Sequence, residues 1–202
     1  MSAKKEEDKR IIKTKKNLRE SLLSLMTEIP FDKITVNALC EKAVINRMTF
    51  YKHYKDKYDL FGDVMDEIKD AVIKRSVARN GGAVNRNNHV EFCVNLFNAV
   101  IEECDNRRDV LQNLIMDENT IMPGLLGDKI RRYVNELTEE LSRHKRIKYP
   151  AEYVSSFICG GMSSLIFTYI TDKSPSKSQI KKSIENFARD LLEKDLLFEK
   201  IN

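Results

Sequence analysis

Apolar residues recur along most of this 202-residue chain at a spacing near 3.6, the period of helices that bury one face. Ile11, Ile12, Leu18, Leu22, Leu23, Leu25 and Met26 form the first run, from about residue 9, and Pro30 ends it. Phe31 to Ile34 make a short connection. Thr35 then precedes Val36, Leu39, Cys40 and Ala43, where its hydroxyl can accept an exposed backbone N–H, so a second helix is predicted over 36–43. Asn46 is placed to cap a third helix, Arg47 to His53. Asp56, followed three residues later by Asp59, caps a fourth that carries Leu60, Phe61, Val64, Met65 and Ile68.

Further along, Val90, Cys93, Val94, Phe97, Val100, Ile101 and Cys104 make another helical stripe. Val110 to Met116 follow, then Leu126, Ile130, Val134, Leu137 and Leu141. Asn80-Gly81-Gly82 with Asn85 to Asn88, and Met122-Pro123-Gly124, mark breaks. Between Glu152 and Thr171 apolar residues surround the helix axis, more than one core face can take. The stretch is interrupted by Ser and Gly and lacks basic flanks on both sides, so a buried helix of a soluble protein is expected rather than a membrane span. The crowding predicts contact with a second subunit through Phe157, Gly160, Gly161, Ser164 and Phe167. Ile184, Phe187 and Leu191 join from a last helix capped by Ser176 and Gln179.

Composition agrees with an all-α chain: seven Gly and four Pro are too few for a loop-rich or all-β protein. The net charge of +4 says little until it is divided. Residues 1–62 hold 14 Lys and Arg against 9 Asp and Glu, whereas residues 63–202 hold 21 against 22. A basic module that meets a polyanion, joined to a near-neutral one, is the pattern this describes. The N-terminus has no apolar run of the signal-peptide kind, so a cytoplasmic location is expected. Cys40, Cys93, Cys104 and Cys159 are scattered, as for buried, reduced thiols. No catalytic signature, cofactor motif or metal spacing is visible, and His89 and His144 read as solvent-facing. The chain is therefore not expected to be an enzyme or to need a cofactor or metal.

The two short helices carry the candidate chemistry. Neither buries enough to stand alone, so both must be clamped by helices one and four, leaving one face outward. Phe50 and Tyr54, four apart, can point inward; Arg47, Thr49, Tyr51, Lys52 and His53 remain on the other arc, with Lys57 beyond. Donors without matching acids suit a phosphate backbone, and a helix fits the major groove. Arg47 is placed to read guanine or to hold a phosphate. Met48 can lie on a thymine methyl or pack inward, and Thr49 can meet a base, a methyl or a phosphate. Tyr51 and His53 suit phosphates, and Thr35 is a cap first and a phosphate contact second. Lys57 opens helix four, where the dipole disfavours a cation, so its presence asks for an outside anion.

Residues 34–61, ITVNALCEKAVINRMTFYKHYKDKYDLF, resemble the helix-turn-helix of the TetR family of bacterial transcription regulators. Thr49, Tyr51, His53 and Lys57 fall at that family's backbone-contacting positions, and Phe50 and Tyr54 at its core aromatics. Two residues depart from the pattern. Val44 stands where Gly is usual, so the turn is expected to take another shape, and Met48 replaces a small residue. The resemblance implies a DNA-binding domain over 9–68 and an effector-binding, dimerising helical domain over 69–202. It also implies a homodimer on palindromic operator DNA, most simply a repressor. A small apolar or aromatic effector is expected among Phe92, Phe97, Met116, Tyr133, Phe157 and Met162, which could equally fill a core. A regulator without such an effector, governed by a protein partner or acting as a coactivator, and a helical enzyme that has kept the module for another purpose, stay open.

Overall fold

The computed structural model describes residues 2–85, 88–116, 122–144, 146–171 and 177–193; side chains are described for most but not all of these. The fold is all-α. The described residues form α1 (Ser2–Glu28), a 3₁₀ turn (Phe31–Lys33), α2 (Val36–Ala43), α3 (Arg47–Tyr51), α4 (Lys57–Arg79) and α5 (His89–Asn106). They continue with α6 (Arg108–Met116), α7 (Met122–His144), α8 (Ala151–Thr171) and α9 (Lys177–Glu193). They divide into two compact units, Met1–Glu67 with Asp109–Met122, and Ile68–Arg108 with Pro123–Asn202.

In the first unit the helix boundaries follow their caps. Thr35 Oγ1 accepts from Ala38 N at 3.2 Å and Asn46 Oδ1 from Thr49 N at 2.8 Å. Asp56 Oδ1 takes the N–H groups of Tyr58 and Asp59, each at 2.8 Å, while Asp59 Oδ2 takes Lys55 N at 3.0 Å. Each cap satisfies donors that the first turn leaves exposed. Leu18, Leu22 and Met26 line one face of α1 and are buried with Leu39, Phe50, Leu60 and Val64. α6 belongs to this unit: Val110 and Leu114 are buried, and Asn113 Nδ2 donates to Met26 O at 2.9 Å.

The turn after α2 does not take another shape. Val44 itself adopts the left-handed conformation, φ 55° and ψ 51°. Val44 N donates to Glu41 O at 3.2 Å and Ile45 N to Cys40 O at 2.9 Å, the paired bonds of a Schellman closure. These bonds hold a β-branched residue where its Cβ is crowded. The Val44 side chain is 89% exposed and so loses little if removed. Val44→Gly is expected to stabilise the protein by about 1 kcal/mol, relief of strain being partly offset by the freer unfolded chain. Urea denaturation should show a raised midpoint with an unchanged slope.

In the second unit α9 packs along α5 in the opposite direction, as Lys181–Glu102 at 3.3 Å and Arg189–Glu91 at 2.9 Å show. Arg75 pairs with Glu103 at 3.0 Å and Arg79 with Glu102 at 2.8 Å, joining α4 to α5. Arg108 donates to Tyr169 O at 3.0 Å and Ile170 O at 2.9 Å, and Tyr169 Oη donates to Asp105 at 2.5 Å. The last turn of α8 thus has its carbonyl groups satisfied by a cation, the sign a helix C-terminus favours.

α8 is not the buried helix expected from its composition. It is long and apolar enough to cross a membrane, yet 28% of its apolar stretch is buried within the chain. Val154, Ser155, Cys159, Tyr169 and Ile170 face inward, while Phe157 is 67% and Phe167 51% exposed. Apolar residues ring the axis, but among the described residues Phe157, Leu165 and Phe167 on it stay exposed. His89 is also buried rather than solvent-facing, and the His144 side chain lies outside the described residues. Cys40, Cys93 and Cys159 are buried and Cys104 is half-buried, all as free thiols. Burial raises the Cys93 and Cys104 thiols to about 12, with Asp105 adding to the effect at Cys104. The proposed cap Ser176 lies outside the described residues.

Candidate nucleic-acid interface

α3 is anchored by aromatic packing on its inner side. Phe50 is fully buried, its ring centroid 5.4 Å from Tyr51 and 5.9 Å from Tyr54. The Tyr54 hydroxyl donates to Asp63, which also accepts from Arg19 Nη1 at 3.0 Å. Burial, then the bond to Asp63, pushes the Tyr54 phenol above its ordinary range. The Asp63 carboxyl goes the other way: burial alone would raise it, but its bonds to Tyr54 and Arg19 and nearby Lys15 hold it below the usual value. α1, α3 and α4 are thereby tied at one end of the short helix.

The outward side of α3 presents Arg47, Met48, Tyr51 and Lys52, all exposed. Met48 is 75% exposed, so it does not pack inward. The Arg47 guanidinium lies 5.9 Å from the Tyr51 ring, which stands against the edge of Phe50. A cation resting on an aromatic face is partly pre-oriented. Thr49 is half-buried, and its hydroxyl donates to Asn46 Oδ1 at 2.9 Å, so Asn46 orders Thr49 as well as capping the helix. Thr35, exposed at the start of α2, has its cap role.

His53 is half-buried at the far end. Burial first, then Lys15 and Lys52, lowers its imidazole below the ordinary value, favouring the neutral form. Lys15 was not a sequence candidate; its Nζ lies 5.3 Å from the Tyr54 ring. The signal available in the sequence was the acid-free basic run around it.

Lys57 finds its anion-like partner inside the chain. Its Nζ donates to Phe31 O at 3.0 Å, Asp32 O at 2.9 Å and Ile34 O at 3.0 Å, and stands 4.9 Å from the Phe31 ring. Three carbonyl groups at the end of the 3₁₀ turn take all three ammonium hydrogens. The inference that this lysine needs an outside anion is corrected: it clamps the turn that leads into α2.

Of the six residues expected to line an effector pocket, Phe92 and Phe97 share one packed cluster. Phe92 is buried in a cluster with Cys93 and Leu141, and Phe97 packs against it. Tyr133 lies under the ammonium groups of Lys69 and Lys129, at 4.9 and 5.7 Å. Met162 is half-buried on α8, Phe157 faces outward, and the Met116 side chain lies outside the described residues. A stripe of large residues looks the same in sequence whether it fills a core, lines a pocket or faces a partner. An open groove of about 350 Å³ between α7 and α8 is lined by other residues, among them Gly127, Asp128, Arg131 and Cys159.

Of the expected dimer set, Phe157, Gly160, Gly161, Ser164, Phe167 and Phe187 are exposed. A Cβ added at Gly160 or Gly161 would meet nothing within 4 Å. Leu191 is half-buried, and the Ile184 side chain lies outside the described residues. Among the described residues no group of three or more His, Cys, Asp and Glu is placed to hold a metal ion.

No family model matches the chain. The uncharacterized HTH-type transcriptional regulator YxbF of Bacillus subtilis (strain 168) is 32% identical over 57 residues, 28% of this chain and 15% of that protein. The chain thus matches a small part of that relative's length. Solved structures agree over far more. A Syntrophomonas wolfei protein classed as a TetR-family transcriptional regulator superposes with a TM-score of 0.68 and 11% identity, covering 88% of this chain and 94% of that one. The fatty acid degradation regulator FadR of Bacillus halodurans gives 0.64 and 15%, covering 89% and 96%. NalD, the secondary repressor of the MexAB-OprM multidrug efflux pump in Pseudomonas aeruginosa, gives 0.58 and 12%, covering 95% and 100%. With two capped short helices clamped by α1 and α4, and a second helical unit built on α5, α7, α8 and α9, this chain carries the TetR-family fold.

Proposed function

We propose that the protein is a cytoplasmic, homodimeric, sequence-specific DNA-binding transcription regulator of the TetR type. The observation that carries this reading is the outward face of α3: Arg47, Met48, Tyr51 and Lys52 exposed, on a helix pinned from behind by Phe50 and Tyr54. The helix enters a major groove, Arg47 reads guanine, and Met48 and Thr49 meet neighbouring base edges or methyls. Tyr51, Lys52 and His53 hold phosphates, with Thr35 and Asn46 at the starts of α2 and α3. Lys57 acts indirectly, by fixing the 3₁₀ turn. The DNA-binding domain is 9–68 and the effector-binding, dimerising domain 69–202, the exposed faces of α8 and α9 joining two copies. Repression is the preferred sign, in keeping with NalD, and a small molecule bound in the second domain relieves it by changing the separation of the two reading helices.

Arg47→Ala is expected to weaken specific binding by about 1–3 kcal/mol and relax preference at one base pair. Lys52→Ala is expected to weaken all sequences alike and reduce the salt slope by about 1. Binding titrations on selected and scrambled duplexes distinguish the two. If Arg47→Ala leaves specific binding unchanged, α3 is not the reading helix.

His53 adds a pH dependence of definite sign. Its imidazole is lowered in the free protein, and a bound phosphate raises it, so a proton is taken up on binding. That contribution is fully present below the free-state value and is lost as pH rises through the bound-state value. Affinity is expected to rise as pH falls through the bound-state value towards the free-state value, by at most about tenfold per unit for one linked proton. His53→Gln should flatten the profile.

A further inference from the structure

Asn46 Oδ1 accepts two hydrogen bonds, from Thr49 N at 2.8 Å and from Thr49 Oγ1 at 2.9 Å. The first fixes which end of the carboxamide faces the helix, because a backbone N–H cannot bond to Nδ2, which carries hydrogens of its own. The second then fixes the polarity of the hydroxyl. An amide oxygen only accepts, so the single Thr49 hydroxyl proton points at Asn46. Thr49 Oγ1 is left with lone pairs alone. The residue is half-buried, one turn before Lys52 and His53 on the arc that leads away from the buried Phe50. Phosphate oxygens also offer only lone pairs, as do guanine O6 and N7 and thymine O4 in the major groove. Two acceptors share no hydrogen, and releasing the hydroxyl from Asn46 costs a bond of similar worth to any gained. The groove presents two partners of the opposite kind, the amino groups at N6 of adenine and N4 of cytosine.

We propose that Thr49 is a specificity-determining residue that accepts a hydrogen bond from the exocyclic amino group of an adenine or a cytosine. Asn46 is the positioning residue that holds the hydroxyl in its accepting orientation. The proposal rests on the DNA-binding reading above and narrows it to one chemistry at one residue. It departs from the phosphate contact that the place of Thr49 in the helix-turn-helix pattern implies, since a hydroxyl without a proton to give cannot hold a phosphate. Arg47 and Thr49, two residues apart, do not share a face of α3. The base pair selected by Thr49 is therefore distinct from the one read by Arg47.

The test uses the full chain and the duplex recovered by selection from a random pool. Each adenine of the half-site is replaced in turn by purine and each cytosine by pyrimidinone, analogues that lack the amino group. The expected result is one position at which the deletion weakens wild-type binding about 5- to 30-fold and leaves binding by Thr49→Val unchanged. Valine keeps the branched shape and lacks the oxygen, so the comparison isolates one contact. Sensitivity to purine assigns an adenine, and sensitivity to pyrimidinone a cytosine. Asn46→Gly, which keeps most of the worth of the cap, frees the hydroxyl proton and should relax preference at that same base pair. If no amino deletion weakens wild-type binding, the proposal is overturned, whatever the folding of the variants. Equal losses in the wild type and Thr49→Val overturn it too, as does a Thr49→Val variant that loses selected and scrambled duplexes alike, the mark of a phosphate contact. If the wild type itself shows no sequence-selective binding, the underlying DNA-binding reading fails. Selective binding without an amino group coupled to Thr49 removes this proposal alone.

Discussion

Phe50→Ala is expected to destabilise the N-terminal unit by about 3–5 kcal/mol, the cost of deleting a fully buried ring. Phe50 has no accessible surface and is the hinge of an aromatic set with Tyr51 and Tyr54. α3 spans Arg47–Tyr51, too short to persist without that anchor. Total stabilities of about 5–15 kcal/mol leave little margin, so DNA binding should be lost although Phe50 touches no DNA. Urea denaturation followed by circular dichroism checks the effect. The contrast with Arg47→Ala is the informative part: that variant should lose specific affinity at an unchanged midpoint, whereas Phe50→Ala loses both. Wild-type stability in Phe50→Ala would show that the aromatic anchor is not what holds the reading helix.

The second large effect is at α8. Phe157→Asp is expected to weaken self-association by at least about 30-fold, the scale of an interface anchor of 2 kcal/mol or more. Phe157 is 67% exposed among the described residues, and a Cβ added at Gly160 or Gly161, one turn further on, would meet nothing within 4 Å among them. A carboxylate there costs desolvation in the dimer and little in the isolated subunit. Because two linked reading helices reinforce each other through effective concentration, operator affinity should fall by about 10²- to 10⁴-fold as the monomer appears. Sedimentation equilibrium reads the first change and binding titration the second. A variant that remains dimeric and binds normally would place the subunit interface elsewhere.

The parts of this fold legible in sequence are those fixed by short-range chemistry. Thr35, Asn46 and the Asp56/Asp59 pair announce helix starts because a cap acts within three residues, and Phe50 and Tyr54 announce a buried face because they lie one turn apart. The rest depends on partners distant along the chain. Lys57 looked like a cation lacking an anion because its three acceptors lie 23 to 26 residues earlier. Val44 looked like a reason for a different turn, but the two backbone bonds that close the helix outweigh its steric cost. His89 looked exposed because one histidine in a polar loop shows no sign of what packs over it. Nor could periodicity divide the apolar ring of α8 into a buried and an open side, or tell the packed Phe92 from the outward Phe157. Within the candidate interface, α3 could be placed from residues 34–61 alone, whereas the approach of Lys15 to the Tyr54 ring required the packing of α1.

Selection of bound sequences from a random duplex pool tests the central claim most directly. The account predicts enrichment of one palindromic site whose half-sites lie about one helical turn or more apart, ~34 Å, bound by the wild type and lost with Arg47→Ala. Recovery of no enriched sequence, or of a site that Arg47→Ala binds equally well, would contradict it.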